Sequence, residues 1–345
     1  MAAELNLLAL PGDGIGPEIV TATLRVLEAL AVPVRVETAE IGFSALETHG
    51  STIPDAVIAK AKATNAVLLG PVSHNAYPPR DQGGLNPSGL LRKELDLYAN
   101  IRPARTWPGL PATATDMDLV VARENLEGFY ADRNMHVGPG EYMPVPGVAL
   151  ATRRITEHAS RRIAEAGFRL AAQRPARRVA AIHKANVLRL SDGLFLDTVR
   201  DVAKGYPDIA YEEVLVDAAA ALLVRNPDRF DVLITTNMFG DILSDLASEL
   251  SGGLGLAGSL NVGPHHVAAQ AQHGSAPDIA GRDLANPTSL ILSLAMLFRH
   301  YGWDAAERIE SALAACLAEP KTRTQDLGGA LGTTAFTDTL IEYLT

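Results

Sequence analysis

The chain of 345 residues is poor in several features that would point to particular classes of protein. Its single cysteine, Cys316, excludes a disulfide framework within the chain and favours a cytoplasmic location. No apolar run approaches the roughly 18 residues of a membrane span, so we expect no membrane partner. The 30 basic residues are outnumbered by 40 acidic ones, and the net charge of −10 argues against nucleic acid as a partner. The N-terminus has no basic n-region and leads directly into a strand pattern, so we expect no signal peptide.

The length and the 47% of hydrophobic residues predict about two globular domains with ample core. Strand and helix signals alternate along the chain, which predicts an α/β fold with a largely parallel sheet covered by helices. The predicted strands are Leu5–Leu10, Val67–Leu69, Asp118–Val121, Val179–Ile182, Val214–Val216 and Val232–Ile234, and the clearest helices begin at Pro17 or span Ser191–Ala203 and Phe239–Leu250.

The stretch from Tyr130 to Val148 is different, because it is rich in Gly, Pro and Met and has no helical period. It predicts either a long loop or a protruding arm.

Asp241 and Asp245 form the most informative pair in the chain. Their spacing of four places both carboxylates on one helix face, where they repel each other unless a cation lies between them. Oxygen ligands suit Mg²⁺ or Mn²⁺. A lone pair of this kind is more often a solvated helix face. Here, however, the helix follows a buried strand, and α/β sheets bind ligands at the carboxyl ends of their strands.

Arg92, Arg102 and Arg123 all lie near predicted element ends within about thirty residues of one another. Guanidinium groups bind carboxylates in bidentate fashion, so three of them beside a metal site suggest a small polycarboxylate ligand. Taken one at a time, each is more simply a surface arginine.

Lys184, Tyr130 and Asp217 are weaker candidates when each is taken alone. Lys184 follows a buried strand and could act as a base, although a structural role is equally consistent with its position. Tyr130 alone resembles a half-buried core residue. Asp217 closes a predicted strand, where it could bind a metal or cap a helix.

Gly253–Gly258 matches the G-x-G-x-x-G pattern of dinucleotide-binding proteins, with Asp278 twenty residues further on. A helix precedes this segment and no helix follows it, which is the wrong context. We therefore do not predict a Rossmann fold.

Together these residues resemble the β-decarboxylating dehydrogenases, a family that includes isopropylmalate, isocitrate, homoisocitrate and tartrate/D-malate dehydrogenases. The resemblance spans nearly the whole chain in family order. The matching segments are Pro11–Glu18, Leu91–Pro103, Arg123–Tyr130, His183–Val187, Asn237–Asp245, His273–Gly281, Asn286–Pro287 and Asp326–Gly329.

The resemblance implies a doubly wound, mostly parallel α/β fold that is not a Rossmann fold. Residues 1–99 plus 252–345 would form a cofactor-side domain, and residues 100–251 would form a metal, substrate and dimerisation domain. An arm near residues 130–150 would help to form a homodimer, or a higher oligomer, with active sites shared between subunits in the cleft between the domains.

The resemblance also implies a role for each candidate residue. Lys184, from the partner subunit, would be the base and Tyr130 the acid. The substrate would contact Arg92, Arg102, Arg123, Ser88 and Asn186. Asp241 and Asp245, with Asp217 from the partner, would bind Mg²⁺ or Mn²⁺. The cofactor would lie along Pro11–Glu18 and contact His273, Gly274, Ser275, Ala276, Asp278, Ile279 and Asn286.

The implied reaction oxidises a malate-type 2-hydroxy acid with NAD and removes CO₂ to leave a 2-keto acid. Asp278 favours NAD, because a carboxylate there would repel the 2′-phosphate of NADP. The chain departs from the family pattern at two places near the cofactor. Relatives often have Glu-Pro where this chain has Gln270 and Ala271, and they often have a Gly-rich turn where this chain has Pro71 and Ser73.

The substituent on C3 of the substrate remains open. Ser88 and Gly89 stand where isopropylmalate enzymes have a Leu-Leu pair, so the pocket is expected to be smaller and more polar. D-malate, tartrate and isocitrate fit such a pocket, and a 3-alkylmalate fits if Leu85 or Leu90 lines it. The alternative function is that of a non-catalytic regulatory subunit of a hetero-oligomeric relative.

Overall fold

The computed structural model describes residues 4–130, 135, 137–138 and 140–344. The chain divides into two compact units. Unit 1 comprises the chain up to Asp96, Trp107–Pro111 and Gly252 onward, and unit 2 comprises Leu97–Thr106 and Ala112–Ser251.

The described residues form twelve strands and eleven α-helices. The strands are β1 (Leu5–Leu10), β2 (Val34–Thr38), β3 (Ala66–Leu69), β4 (Ala99–Arg105), β5 (Asp118–Glu124), β6 (Glu141–Val145), β7 (Val148–Ala151), β8 (Arg178–His183), β9 (Ala210–Leu215), β10 (Val232–Thr235), β11 (Gly258–Val262) and β12 (Val267–Ala271). The helices are α1 (Gly16–Leu30), α2 (Phe43–His49), α3 (Asp55–Ala63), α4 (Pro87–Glu94), α5 (Glu157–Ala172), α6 (Ser191–Ala203), α7 (Val216–Arg225), α8 (Asn237–Ser251), α9 (Thr288–His300), α10 (Ala305–Ala318) and α11 (Thr333–Leu344).

The strands of unit 1 are ordered β2-β1-β3-β12-β11. All neighbours are parallel except β11 and β12, which form an antiparallel pair. The core includes the apolar faces of β1, α1, α9, α10 and α11, with Phe298 and Phe336 among its fully buried side chains. Cys316 is buried in this core.

The strands of unit 2 are ordered β4-β5-β10-β8-β9. β5, β10, β8 and β9 are parallel, and β4 pairs with β5 in the antiparallel direction. Because β5, β8 and β10 are parallel neighbours, the residues that follow each of them meet at one edge of the sheet. Arg123, Lys184 and the start of α8 lie at this edge.

The α/β class and the mostly parallel strands agree with the sequence prediction. The predicted strand Val214–Val216 is wrong at its end, since β9 stops at Leu215 and α7 begins at Val216. Asp217 therefore lies in the first turn of a helix, where its negative charge interacts favourably with the helix dipole. The alanines that follow it have a high helix propensity.

The segment predicted as a loop or an arm contains β6, which forms an antiparallel pair with β7 at and beyond the end of the segment. Every residue of both strands is exposed. Residues 131–134, 136 and 139 of the predicted arm lie outside the described residues. None of the helices in the described part of the chain is long and apolar enough to cross a membrane.

Candidate active site

The centre of the candidate site in unit 2 is the first half of α8. This helix begins directly after the buried strand β10, so its first turns lie at the carboxyl edge of the sheet. The spacing of Asp241 and Asp245 places both side chains on the face that meets β4 and β5. Their side chains are 35% and 52% exposed.

Arg102 on β4 and Arg123 on β5 contact these carboxylates. Nη1 of Arg102 lies 3.3 Å from Oδ1 of Asp241 and 3.2 Å from Oδ1 of Asp245, and donates to Oγ of Ser244 at 2.8 Å. Arg123 donates to the same Oδ1 of Asp241. The two aspartates are therefore already compensated by two cations, so repulsion between them does not by itself require a bound metal.

Both guanidinium groups are buried, with Arg102 8% exposed and Arg123 1% exposed. Burial, together with the charge of Arg123, lowers the pKa of Arg102 to about 10. Arg123 is held further by Asn237, whose Oδ1 accepts from Nε at 3.1 Å and from Nη2 at 2.7 Å. Two buried positive charges so close together are suited to anionic groups of a ligand.

Tyr130 joins this group from the turn after β5. Its phenol donates to Oδ2 of Asp241 at 2.6 Å, and its ring lies 5.6 Å from the guanidinium carbon of Arg123. The turn is built by Glu124, whose two oxygens accept from the backbone N–H groups of Leu126 and Glu127, each at 2.8 Å. Glu124 was not predicted from the sequence as a residue that shapes the site.

Lys184 and Asp217 form a second group. Nζ of Lys184 donates to Oδ1 of Asp217 at 2.6 Å, and this contact lowers the pKa of the Asp217 carboxyl. Asn186, also predicted to bind substrate, is exposed in the turn that follows Lys184.

Ser88 and Arg92, both on α4 in unit 1, are buried. The side chain of Gln270 on β12 connects them, because its Oε1 accepts from Ser88 Oγ at 3.2 Å and from Arg92 Nη2 at 3.3 Å. A third bond comes from Nδ2 of Asn261 at 3.3 Å. In the sequence analysis, Gln270 was noted only as a departure from the family pattern near the cofactor. In the structure, it contacts residues that are predicted to bind the substrate.

The two predicted cofactor segments of unit 1 lie against each other. The backbone N–H of Ile15 donates to the carbonyl of Ser275 at 2.8 Å. A Cβ at Gly14 would lie 1.9 Å from that carbonyl oxygen, so only glycine allows this approach. Asp13 fixes the loop by accepting from the N–H groups of Phe43 and Ser73, each at 2.8 Å, and from the Tyr77 phenol.

His273 offers the clearest indication that this region of unit 1 can hold a ligand. Burial lowers its pKa, and Nδ1 donates to the Gly274 carbonyl at 2.9 Å, so the neutral ring leaves Nε2 as an acceptor. That buried atom has no hydrogen-bond partner among the described residues. An orphaned acceptor of this kind fits an N–H group of a bound cofactor.

The remaining predicted cofactor residues differ in exposure. Gly274 and Asp278 are exposed, Ile279 is half-buried, and Ala276 has a left-handed φ of 35°. Asn286 is buried, and its Nδ2 donates to Asp326 Oδ2 at 2.9 Å.

The donor set of α8 also fits a small divalent cation. Among the described residues, no group of three or more His, Cys, Asp or Glu side chains converges to form a complete protein cage. Mg²⁺ does not need one, because it commonly takes one or two carboxylates and fills its other positions with water and substrate oxygens. Asp241 and Asp245 supply such a pair.

A family model described as isocitrate/isopropylmalate dehydrogenase matches residues 6–343. The isocitrate/homoisocitrate dehydrogenase of Thermus thermophilus is 44% identical over 96% of this chain and 96% of its own. The mitochondrial isocitrate dehydrogenase (NAD) catalytic subunit 5 of Arabidopsis thaliana is 44% identical over 97% of this chain and 87% of its own.

A crystal structure of isocitrate dehydrogenase from Methylococcus capsulatus matches 99% of both chains with a TM-score of 0.91 and 39% identity. These matches extend over both units, and the relatives are oxidoreductases that act on a CH–OH group. The chain therefore belongs to the isocitrate/isopropylmalate dehydrogenase family, which oxidatively decarboxylates acids of the malate type.

Proposed function

We propose that this protein uses NAD and Mg²⁺ or Mn²⁺ to convert a malate-type 2-hydroxy acid to a 2-keto acid, CO₂ and NADH. The observation that supports this most strongly is the convergence of Arg102, Arg123, Tyr130 and Asp241 at one edge of the unit 2 sheet. It combines buried positive charge for a polycarboxylate, an acid and a carboxylate ligand.

In this proposal the carboxylates of the substrate are bound by Arg92, Arg102 and Arg123, assisted by Ser88 and Asn186. The metal would be held by Asp241 and Asp245, with Asp217 of a second subunit. When bound, it would supply positive charge against the negative charge that develops on the C2 oxygen. NAD would accept the hydride from C2 and would lie along Pro11–Glu18 and His273–Asn286.

Lys184 would take the proton of the C2 hydroxyl, directly or through water. Tyr130 would deliver a proton to C3 after CO₂ leaves. Its phenol already acts as a hydrogen-bond donor toward Asp241, so the proton is present on the oxygen that must give it up.

Lys184 and Asp217 pair with each other in this chain. In a homodimer with shared active sites, each subunit would lend its Lys184–Asp217 pair to the other. The exposed apolar side chains of β6 and β7 support an arm that takes part in this dimer.

A substrate panel tests the proposal. The purified protein is mixed with NAD, Mn²⁺ and, in turn, isocitrate, homoisocitrate, 3-isopropylmalate, D-malate and tartrate, and NADH is followed. We expect one or more of these acids to be oxidised, with small or polar C3 substituents favoured by Ser88 and Gly89. Asp245→Asn should lose Mn²⁺ binding and activity together, whereas the exposed Asp208→Asn should keep both.

Full activity of the metal-stripped protein in excess EDTA would contradict the assignment of Asp241 and Asp245. The alternative, a non-catalytic regulatory subunit, predicts that the purified homomer turns over none of these acids. The presence of Lys184, Tyr130, Asp217, Asp241 and Asp245 argues against that alternative.

A further inference from the structure

Arg153 is a buried cation that has no part in the function proposed above. It lies in unit 2 between β7 and α5, and its side chain is only 8% exposed. The guanidinium group forms an ion pair with Asp192 and donates to Ser191 Oγ at 2.8 Å and to Thr236 Oγ1 at 3.0 Å. All of its named partners lie at the starts of α6 and α8.

Asp192 is fully buried, at 0% exposed. One of its oxygens accepts from Arg153, and the other accepts from the backbone N–H of Lys184 at 2.6 Å. A single buried carboxylate therefore connects the guanidinium of Arg153 with the main chain of Lys184. Arg153 neutralises a charge that would otherwise be costly to bury at this position.

The other side of Arg153 contacts the beginning of α8. The carbonyl of its partner Thr236 accepts from the N–H of Gly240 at 2.9 Å, so Thr236 is part of the first turn of this helix. The guanidinium carbon also lies 5.5 Å from the centre of the Phe239 ring. The same side chain thus contacts both the anchor of Lys184 and the helix that carries Asp241 and Asp245.

We propose that Arg153 and Asp192 are positioning residues for Lys184. The pair holds the main chain at Lys184 in a defined place against the start of α8 in its own subunit, so that the amine is presented in a reactive geometry to the substrate hydroxyl in the site of the partner subunit. This inference rests on the proposed function, in which Lys184 is the base. Neither residue is among the proposed substrate contacts, so their loss should slow the chemical step and leave substrate binding nearly intact.

The test compares Asp192→Asn and Arg153→Lys with the wild-type enzyme. In Asp192→Asn, the new amide NH₂ must face either the guanidinium of Arg153 or the backbone N–H of Lys184, both of which are donors. One of these two hydrogen bonds is therefore lost without a change in side-chain size. Arg153→Lys keeps the charge but offers one ammonium nitrogen in place of the two guanidinium nitrogens that separately contact the starts of α6 and α8. A matched control is the exposed Arg161–Asp201 pair, which also connects the α5 region with α6, altered as Asp201→Asn and Arg161→Lys.

Two measurements are made on every variant: steady-state kcat and KM, and amide hydrogen exchange of the peptide that contains Lys184–Val187. We expect Asp192→Asn and Arg153→Lys to lower kcat by at least about tenfold, with KM changed less than about twofold, and to speed exchange in that peptide alone. The control variants should change neither quantity.

An unchanged kcat despite faster exchange would overturn the proposal, because the pair would then be only structural. Unchanged exchange would also overturn it, as would a rise in KM at constant kcat. If Asp192→Asn does not fold, the same two measurements on Arg153→Lys decide the matter. An active Lys184→Met enzyme would instead refute the base assignment in the proposed function, whatever the exchange of the peptide shows.

Discussion

Glu124 carries a carboxyl group into a nearly dry part of unit 2, where it is 4% exposed. Burial and the neighbouring charge of Glu127 raise its pKa to about 7, even though the N–H groups of Leu126 and Glu127 favour the ionised form. Since the ordinary value is near 4.5, the folded protein keeps this proton over a pH range in which the unfolded chain has lost it.

The Glu124 carboxyl should therefore make the protein less stable as the pH rises. The contribution of Glu124 to the free energy of unfolding is fully present below pH 4.5 and is lost as the pH rises to about 7. The loss amounts to up to about 3 kcal/mol. Denaturant unfolding at several pH values should show the wild type losing stability relative to Glu124→Gln across that range. The exposed Glu47→Gln provides a control for the loss of one carboxyl, and parallel curves for wild type and Glu124→Gln would contradict the account.

Asp278 is the residue expected to set the preference for NAD over NADP. A 2′-phosphate beside this exposed carboxylate brings like charges together, so NAD should be preferred over NADP by at least about tenfold, equivalent to about 1.4 kcal/mol. The positive charge of Arg282, whose Nη1 lies 3.5 Å from the Asp278 carbonyl, offsets part of this repulsion and so limits the expected NAD/NADP ratio. Asp278→Lys should narrow or invert the ratio of kcat/KM for the two cofactors. Equal values in the wild type would mean that Asp278 does not face the ribose.

The types of residue in the site were predictable from the sequence, whereas their contacts were not. The spacing of Asp241 and Asp245 predicted a shared helix face, which the structure has. The compensation of both by Arg102 and Arg123 depends on the antiparallel register of β4 with β5, which no local pattern reveals. Asp192 was not singled out from the sequence, and Gln270 was noted only as a departure from the family pattern, because their side-chain partners lie on other elements.

At the scale of elements, the close packing of α8 against β5 depends on Gly240. A Cβ at this position would lie 2.7 Å from both Cβ and Cγ of Arg123, so Gly240→Ala must displace the arginine or the helix. Alanine is ordinarily the better helix former by about 1 kcal/mol, but here the collision should outweigh that gain. We expect lower thermal stability and a raised KM for the substrate.

Gly193 on α6 is the matched control, because a Cβ there would meet nothing within 4 Å. Gly193→Ala should stabilise the protein by roughly 0.5–1 kcal/mol without changing KM. Similar effects of the two substitutions, measured by thermal unfolding and steady-state kinetics, would show that Gly240 is not needed for the approach of α8 to Arg123.

Elements with a clear period were the most predictable. The range of α6 was predicted residue for residue, and β1, β3 and β10 were found within one residue at each end. β2, β4, β11 and β12 were not predicted. β2 is mostly exposed, and β11 lies in a segment whose glycines hide its strand pattern. The strands β6 and β7 lack a buried face, so the sequence showed only that this stretch was not helical.

At the scale of the whole molecule, the exposed β6–β7 hairpin is the feature best suited to association. Met143 and Val145 on β6 are 63% and 55% exposed, and Val148 and Leu150 on β7 are 44% and 45% exposed. Apolar side chains grouped in this way commonly mark an interface. The double change Met143→Glu and Val145→Glu should convert a dimer to a monomer and abolish activity if the active sites are shared.

Light scattering coupled to gel filtration measures that change, and circular dichroism checks that the fold is kept. Tyr343→Glu is the control, because this side chain on α11 is 46% exposed but lies outside the hairpin. A double variant that remains dimeric, or a fully active monomer, would contradict the proposed arm and the sharing of sites.

The most direct test of the central claim is the stoichiometry of the reaction with the best acid of the panel. NADH and CO₂ are measured together in the wild type and in Lys184→Met, with Mn²⁺ and after its removal. The proposed function predicts one CO₂ for each NADH, no product from Lys184→Met, and activity that returns when Mn²⁺ is restored to the stripped wild type. NADH formed without CO₂, or CO₂ and NADH formed at wild-type rates by Lys184→Met, would contradict it.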